Sequence, residues 1–562
     1  MVSTTWSVVV LVAILLQLTW SSPVPDENHP LLRNKRQVRN GIRCMNNGKF
    51  YRNPDREKAK MWSTGECAKY YLCIENEVFE FKCSTGLLFD IVRQICDFKA
   101  KVDNCDINTE AALPKPLLNT PEPICPINEL ACADGTCLNS DLFCDGHADC
   151  VDGSDEGWCD AENDPNAAAR CDYANCTLPN CFCSVDGTLI PGNLEVNQVP
   201  QMITITFDDA VNGENWDLYL NKLFIPERKN PNGCPIHATF YISHEYNNYQ
   251  HVQKLWNAGH EIAAHSITHR HPENWWSTNA TIEDWFDEMV GQANIINRVA
   301  GVHMEDIRGI RVPFLRVGWN RQFLMMKEFG FVYDASMAAP LSDPPLWPYT
   351  LDYKMPHTCV GTGQRCPSRS FPGIWEMVLN QLEVEEYSCA MVDSCPSHGS
   401  EDEVYEMLMH NFRRHYNSNR APFGLYFHTI WFKKRINLRA FQRFLEDMVR
   451  MPEVWIVNNW EAIQWMQKPT PINALSQFDP WKCKPQVPPE DKACNIGRAC
   501  KLQSRALRVD RYLHTCTECP QVYPWIKNEF GLDILKNNEQ LHCPANFTPS
   551  KSWQYSLPSI VI

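Results

Sequence analysis

The sequence predicts a multidomain protein in which an α/β domain of the (β/α) barrel kind follows two small disulfide-rich modules. Three observations carry this expectation. At 562 residues the chain is too long for one hydrophobic core, so roughly two to four domains are expected. Two short stretches, Cys44 to Cys105 and Cys125 to Cys159, each hold six of the 27 cysteines. From about residue 198 to 470, short apolar runs alternate with amphipathic stretches, as strands alternate with helices in a parallel sheet.

The chain opens on an uncharged apolar run, "WSVVVLVAILLQLTWSS", followed by "PVPDENHP". The run is short and ends in small residues, so residues 1–22 read as a secretory signal cleaved near Ser22, and no later segment is apolar enough to span a bilayer. The mature protein is therefore expected to be extracellular. The cysteine count agrees, because thiols at this density persist as disulfides in an oxidising compartment, and the odd number leaves at least one outside an internal pair. Asn175, Asn279 and Asn546 head glycosylation acceptor triplets. Acidic residues exceed basic ones by 15 with no long basic run, which disfavours nucleic acid and anionic membranes as partners. Residues 23–40 form a linker whose "RNKR", Arg33 to Arg36, has the form of a processing site.

The module at 41–107 is dense in aromatics, and "VFEFKC" alternates apolar and polar residues as a strand does. A segment this short is expected to be a small sheet stapled by disulfides. Tyr70, Tyr71, Phe79 and Phe81 either form its core with Phe89 or present aromatic faces to the apolar C–H faces of pyranose rings. The spacing and "YYLC…FKCSTGLLFD…C" resemble a peritrophin-A type chitin-binding domain. That resemblance implies the pairs Cys44–Cys73, Cys67–Cys105 and Cys83–Cys96, with chitin as the ligand.

The module at 124–160 ends in a cluster of acids that would repel one another unless a hard cation gathers them, most naturally calcium. Its "CDGHADC…DGSDE" is similar to the LDL-receptor class A repeat. The resemblance implies Asp145, Asp149, Asp155 and Glu156 as calcium ligands, with the carbonyls of Leu142 and His147. It also implies the pairs Cys125–Cys137, Cys132–Cys150 and Cys144–Cys159, and a protein partner of unknown identity.

After a linker at 161–197, the domain at 198–470 gathers the chemistry at its strand ends. "TITFDDA" sets Asp208 and Asp209 where an apolar strand passes into a loop, so that one carboxylate can ligate a metal while the other takes a proton from water. "AAHSITHRH" offers His265 and His269, with His271 as a rival ligand. One carboxylate and two imidazoles leave positions open on the ion, the mark of a catalytic site, and zinc suits this donor set. "RGIRVPF" adds Arg311 to hold a carboxylate base, and the backbone N–H after Pro313 to meet an oxyanion. "LYFHT" places His428 in an apolar strand, where its company and not its position gives it weight.

In this order the motifs resemble the polysaccharide deacetylases of carbohydrate esterase family 4, and with both modules the arthropod chitin deacetylases. The resemblance implies a distorted barrel with fewer than eight full units and a zinc-dependent hydrolysis of N-acetyl groups in chitin. It makes Asp208 the base, Asp209, His265 and His269 the zinc ligands, and His428 the acid. Arg311 then orients Asp208, and Phe314 stands where the family has tyrosine, supplying its backbone N–H. "LWPYTLDY" is expected to give Trp347 to the acetyl pocket and Asp352 to His428, with Asp334 as competitor, while Leu425 opens the last motif and borders the substrate. Cys359, Cys366, Cys389 and Cys395 are expected to pin loops around the cleft, and residues 471–562 to form a disulfide-tied extension. The rival reading is a non-catalytic chitin-binding protein that organises cuticle or another chitinous matrix.

Overall fold

The computed structural model describes residues 125, 129–145, 148–156, 159, 164–361, 364–483, 494 and 497–533, with short strands and a few further residues between 38 and 102. The chain forms two units, residues 1–124 and 125–562. The predicted signal, the RNKR site, the side chains of Cys44, Cys67, Cys73, Cys83, Cys96, Cys105, Phe79 and Phe81, and His147 and Asn546 lie outside the described residues.

In the first unit, Lys69–Ile74 pairs antiparallel with Glu77–Lys82, and Leu87–Asp90 with Ile95–Phe98. Tyr71, Leu88 and Phe89 are buried, and Tyr70 stacks on Phe89 with ring centroids 4.2 Å apart. The expectation that Tyr71 meets a sugar ring is thus corrected: at 3% exposure it is spent on the module's core, since so small a sheet has few other apolar groups to bury.

The second unit begins with the class A module. Its strands Glu129–Ala131 and Cys137–Asn139 are short, and three disulfides, Cys125–Cys137, Cys132–Cys150 and Cys144–Cys159, follow the expected pairing. The barrel follows, built on β1 (Gln201–Asp208), β2 (Thr239–Ile242), β3 (Glu261–Ala264), β4 (Gly309–Ile310), β5 (Tyr333–Asp334), β6 (Tyr349–Leu351), β7 (Phe371–Glu376), β8 (Phe423–Phe427) and β9 (Val454–Val457). The strand order is β6-β7-β5-β4-β3-β2-β1-β8, with β9 pairing the start of β1. All pairings are parallel except β6 with β7. The ladder does not close between β6 and β8 among the described residues, and β5 reaches β7 through a strand where a full unit would have a helix. The expected distortion has this origin.

Side-chain alternation sorts each strand into two faces. Ile203, Ile205 and Phe207 of β1 enter the large core under the helices, with Phe240, Ile242 and Ile262. Met202, Tyr241, Ala263 and Tyr333 enter a second cluster with Trp347, Trp375, Trp455 and Trp465. The helices have clear starts. Ser400 caps the helix Glu401–Tyr416, whose first turn is acidic and whose last is basic, in keeping with its dipole. Asn458 and Glu461 form a capping box on the helix Asn459–Gln467.

The extension beyond 470 is tied down as expected. Cys234–Cys483 links it to the barrel, while Cys494–Cys516 and Cys500–Cys519 staple the hairpin of Arg498–Ser504 and Val509–Thr515. Among the described residues no helix is long and apolar enough to cross a membrane. Asn175 and Asn279 are exposed, as glycan acceptors require.

Candidate active site

The paired acids of β1 are separated by a backbone switch. Thr204, Thr206 and Asp208 fall on the face of the strand opposite Ile203, Ile205 and Phe207, so Asp208 ends the strand pointing inward. Asp209 then adopts φ 79°, a left-handed conformation that turns its carboxylate toward the same space. Ser266 (φ 70°), His269 (φ 46°) and Phe314 (φ 58°) share that uncommon region, and strain of this kind collects at functional sites.

Asp209, His265 and His269 offer ligand atoms that all lie within 4.8 Å of one another. Asp209 Oδ1 is 4.0 Å from His265 Nε2 and 3.8 Å from His269 Nε2, too long for hydrogen bonds and suited to donors around a common ion. His265 Nδ1 lies 2.7 Å from the Arg311 carbonyl oxygen, to which it donates, leaving the Nε2 lone pair facing Asp209. Burial, and then the neighbouring His265, bring His269 down to about 4, so its ring stays neutral. These donors fit a transition metal with open positions. His271 does not join the cluster; its ring stands against Phe314, whose edge also meets His269 at 4.4 Å.

Asp208 is locked beside the cluster. The Arg311 guanidinium, fully buried, donates from Nη1 to Asp208 Oδ1 at 2.7 Å and to Thr206 Oγ1 at 2.6 Å, and from Nε to the Ala335 carbonyl at 2.7 Å. Tyr241 and Tyr426 sandwich it, with ring centroids 4.1 Å and 5.0 Å from Cζ. Burial alone would raise the Asp208 carboxyl, but Arg311, then His265 and His428, outweigh it and hold it below the ordinary carboxylate range. Asp208 is thus ionised and fixed in direction.

His428, at the end of β8, has a partner that was not expected. Its Nδ1 lies 2.7 Å from Asp393 Oδ2, and its backbone N–H donates to the same oxygen at 2.9 Å. With Nδ1 engaged, Nε2 faces the cleft, 3.9 Å from Asp209 Oδ2. Burial would lower the His428 imidazole, but the Asp393 hydrogen bond and the charges of Asp208, Asp393 and Asp209 win, raising it to about 9. Asp393 sits on the turn Val392–Ser394, inside the loop closed by Cys389–Cys395. The sequence signal was there: two cysteines six residues apart bracketing an acid.

Three expectations therefore need correcting. Asp352 is not the partner of His428, because its carboxylate accepts from the Gly373 N–H at 3.0 Å and ties β6 to β7. Its rival Asp334 is fully buried and engaged by Gln322 and Ser336. Trp347 is 1% exposed and stacks on Trp465 in the second core cluster, so it lines no acetyl pocket. Leu425 is buried in the large core on the helix side of β8, because strand alternation sends Tyr426, not Leu425, inward. Both loops are closed by disulfides, Cys359–Cys366 and Cys389–Cys395, and the second carries Asp393 to the cleft.

In the class A module, Asp155 is 1% exposed; its Oδ2 accepts from the Asp149 N–H at 2.6 Å and its Oδ1 has no hydrogen-bond partner among the described residues. A buried carboxylate oxygen left so is costly unless a cation meets it, and a hard, oxygen-seeking ion such as calcium suits a carboxylate donor.

Comparisons with known proteins place the chain in a family. Three family models match: the chitin binding peritrophin-A domain over residues 54–105, the low-density lipoprotein receptor domain class A over 123–159, and the polysaccharide deacetylase domain over 195–333. "Chitin deacetylase 1" of Bombyx mori is 46% identical over 476 residues, which cover 83% of this chain and 88% of the relative. "Chitin deacetylase 8" of the same organism is 37% identical over 371 residues, 65% of this chain and 94% of the relative. A family 4 carbohydrate esterase from Streptomyces lividans is similar at TM-score 0.26 and 16% identity, covering 45% of this chain and 91% of that one. The chain belongs to the chitin deacetylase family.

Proposed function

We propose that the protein is an extracellular chitin deacetylase, hydrolysing the N-acetyl groups of N-acetylglucosamine units to leave free amines and acetate. One observation carries the reading: a carboxylate–imidazole cluster, Asp209, His265 and His269, shares the cleft with a carboxylate, Asp208, tied to Arg311, and a histidine, His428, tied to Asp393. These three groups fit zinc, which when bound supplies Lewis acidity, polarising the amide carbonyl and making a water acidic enough to attack.

The chain's own residues do the rest. Asp208 accepts the water's proton, its direction fixed by Arg311 and Thr206. The backbone N–H of Phe314 donates to the oxygen on which negative charge develops. His428, kept in its acid form by Asp393, gives its Nε2 proton to the departing nitrogen, so the amine leaves neutral. The N-terminal module concentrates the barrel on an insoluble polymer without adding chemistry. Asp145, Asp149, Asp155 and Glu156, with the Leu142 and His147 carbonyls, are proposed to hold calcium in the class A module, supported by the buried Asp155 oxygen.

The test is acetate release from chitin oligosaccharides by the full chain loaded with zinc. Release that disappears in Asp208→Asn and after metal removal is expected. No release from folded, zinc-loaded protein on oligomeric or polymeric chitin would overturn the reading in favour of a matrix-binding role.

A further inference from the structure

The class A module is seated on the barrel by buried contacts at the start of the helix Trp319–Phe329. Trp319, 2% exposed, packs against the Cys144–Cys159 disulfide. Asn320, fully buried, donates from Nδ2 to the Cys144 carbonyl at 3.3 Å and to Ser368 Oγ at 2.9 Å, while its Oδ1 accepts from the Ser368 N–H. Arg369 reaches the carbonyls of Phe143 and Asp141, and Asn166 Nδ2 donates to the Ser140 carbonyl at 2.7 Å. A module swinging on a linker would make none of these contacts.

The seat touches two functional places at once. On the module side, the Cys144 N–H donates at 3.1 Å to the backbone carbonyl of Asp155, the residue whose carboxylate is a proposed calcium ligand. On the barrel side, Trp319 closes a turn that begins with the proposed oxyanion donor. Phe314 (φ 58°), Leu315 (φ 54°) and Trp319 (φ 54°) are all non-glycine residues in the left-handed region. Such conformations persist only where surroundings over-determine them. Gln364 holds the turn through the Leu315 carbonyl and the Val317 N–H, and Gln322 takes the Gly318 N–H at 2.9 Å. Gly318 lies so close to Trp285 that a Cβ would stand 2.2 Å from its ring. The disulfide beneath Trp319 is the module's share of this restraint.

We infer that the class A module is a calcium-dependent brace for the catalytic turn, in which Trp319 is the positioning residue that carries the restraint to Phe314. Calcium fixes Asp155 and with it Cys144, Cys144 and Cys159 fix Trp319, and the Phe314 N–H is thereby kept where the oxyanion forms. Deacetylation thus responds to an ion that takes no part in the chemistry. The inference rests on the calcium and deacetylase readings above.

The experiment uses the full chain, stripped of metal and reloaded with zinc alone or with zinc and calcium. Calorimetry follows calcium uptake, hydrogen–deuterium exchange follows the peptide spanning residues 311–319, and acetate release from chitin oligosaccharide gives kcat and KM. With calcium, exchange in that peptide is expected to slow about tenfold, reflecting suppressed local opening. In the same comparison kcat is expected to rise about tenfold with KM little changed, the scale of effect a misplaced catalytic group produces. Asp155→Asn should abolish uptake and both responses, whereas Trp319→Ala should keep uptake and lose both responses. Uptake without change in exchange or kcat overturns the inference alone. Absence of uptake overturns the calcium reading and the inference with it. Exchange that responds to calcium in a protein releasing no acetate supports the brace and overturns the deacetylase reading instead.

Discussion

The two sides of the cleft are held in different ways. On one side, Asp208, Asp209, His265 and Arg311 sit at or just beyond the ends of β1, β3 and β4, where the parallel ladder sets the spacing of their backbones. On the other, His428 also ends a strand, but the Asp393 that orients it stands on a turn with no ladder partner, closed instead by Cys389–Cys395. The first side is rigid because many hydrogen bonds share the load. The second depends on one covalent closure, and its failure should be graded where the first side's is abrupt.

Breaking the ladder side gives the largest effect. Asp208→Asn should lower kcat about a thousandfold or more while bound zinc, measured by metal analysis, stays unchanged; His265→Ala should lose both. Next comes Asp393→Asn, with kcat reduced about a hundredfold. The carboxylate is what favours the charged imidazole, so removing it lets His428 fall from about 9 toward its ordinary value. The acid form is then lost at lower pH, and the alkaline limb of the kcat–pH profile should move down; an unmoved limb would separate Asp393 from His428. Opening the loop with Cys389→Ser and Cys395→Ser should cost about 2 kcal/mol in denaturant unfolding, as closure of so short a loop implies. Its kcat should fall about tenfold, less than for Asp393→Asn, because the acid remains but wanders. Smallest is Asp352→Asn, expected to change kcat by less than about twofold and stability by about 0.5 kcal/mol, since the hydrogen bond its carboxylate accepts is from the Gly373 N–H in an exposed setting.

The same division explains how much could be read from the sequence. Asp208, Asp209, His265, Arg311 and His428 were legible because a strand end places a side chain by alternation alone, and apolar runs mark strand ends. Asp393 was missed, because its place depends on a disulfide loop that cysteine spacing marks but whose path no periodicity encodes. Asp352 drew attention through "LWPYTLDY", yet β6 is the one antiparallel strand of the sheet, so its end points elsewhere. Trp347 was misplaced for a related reason: a tryptophan near a motif can fill a core as readily as line a pocket, and here Trp465 completes the core. Leu425 was read from its motif and not from the parity of its strand, which would have favoured Tyr426.

Arg311 serves the cleft twice, through different atoms. Its guanidinium holds Asp208, while its carbonyl fixes the tautomer of His265. The carbonyl belongs to the backbone and survives any change of side chain. Replacing Arg311 by an apolar residue together with Asp208→Asn removes a buried charge pair as a unit, which proteins often tolerate. Proton transfer and ion retention are therefore separable by inheritance. Two substitutions should then leave a folded protein that keeps the carboxylate–imidazole cluster and the chitin-binding domain but no longer cuts, a short evolutionary path from catalyst to scaffold.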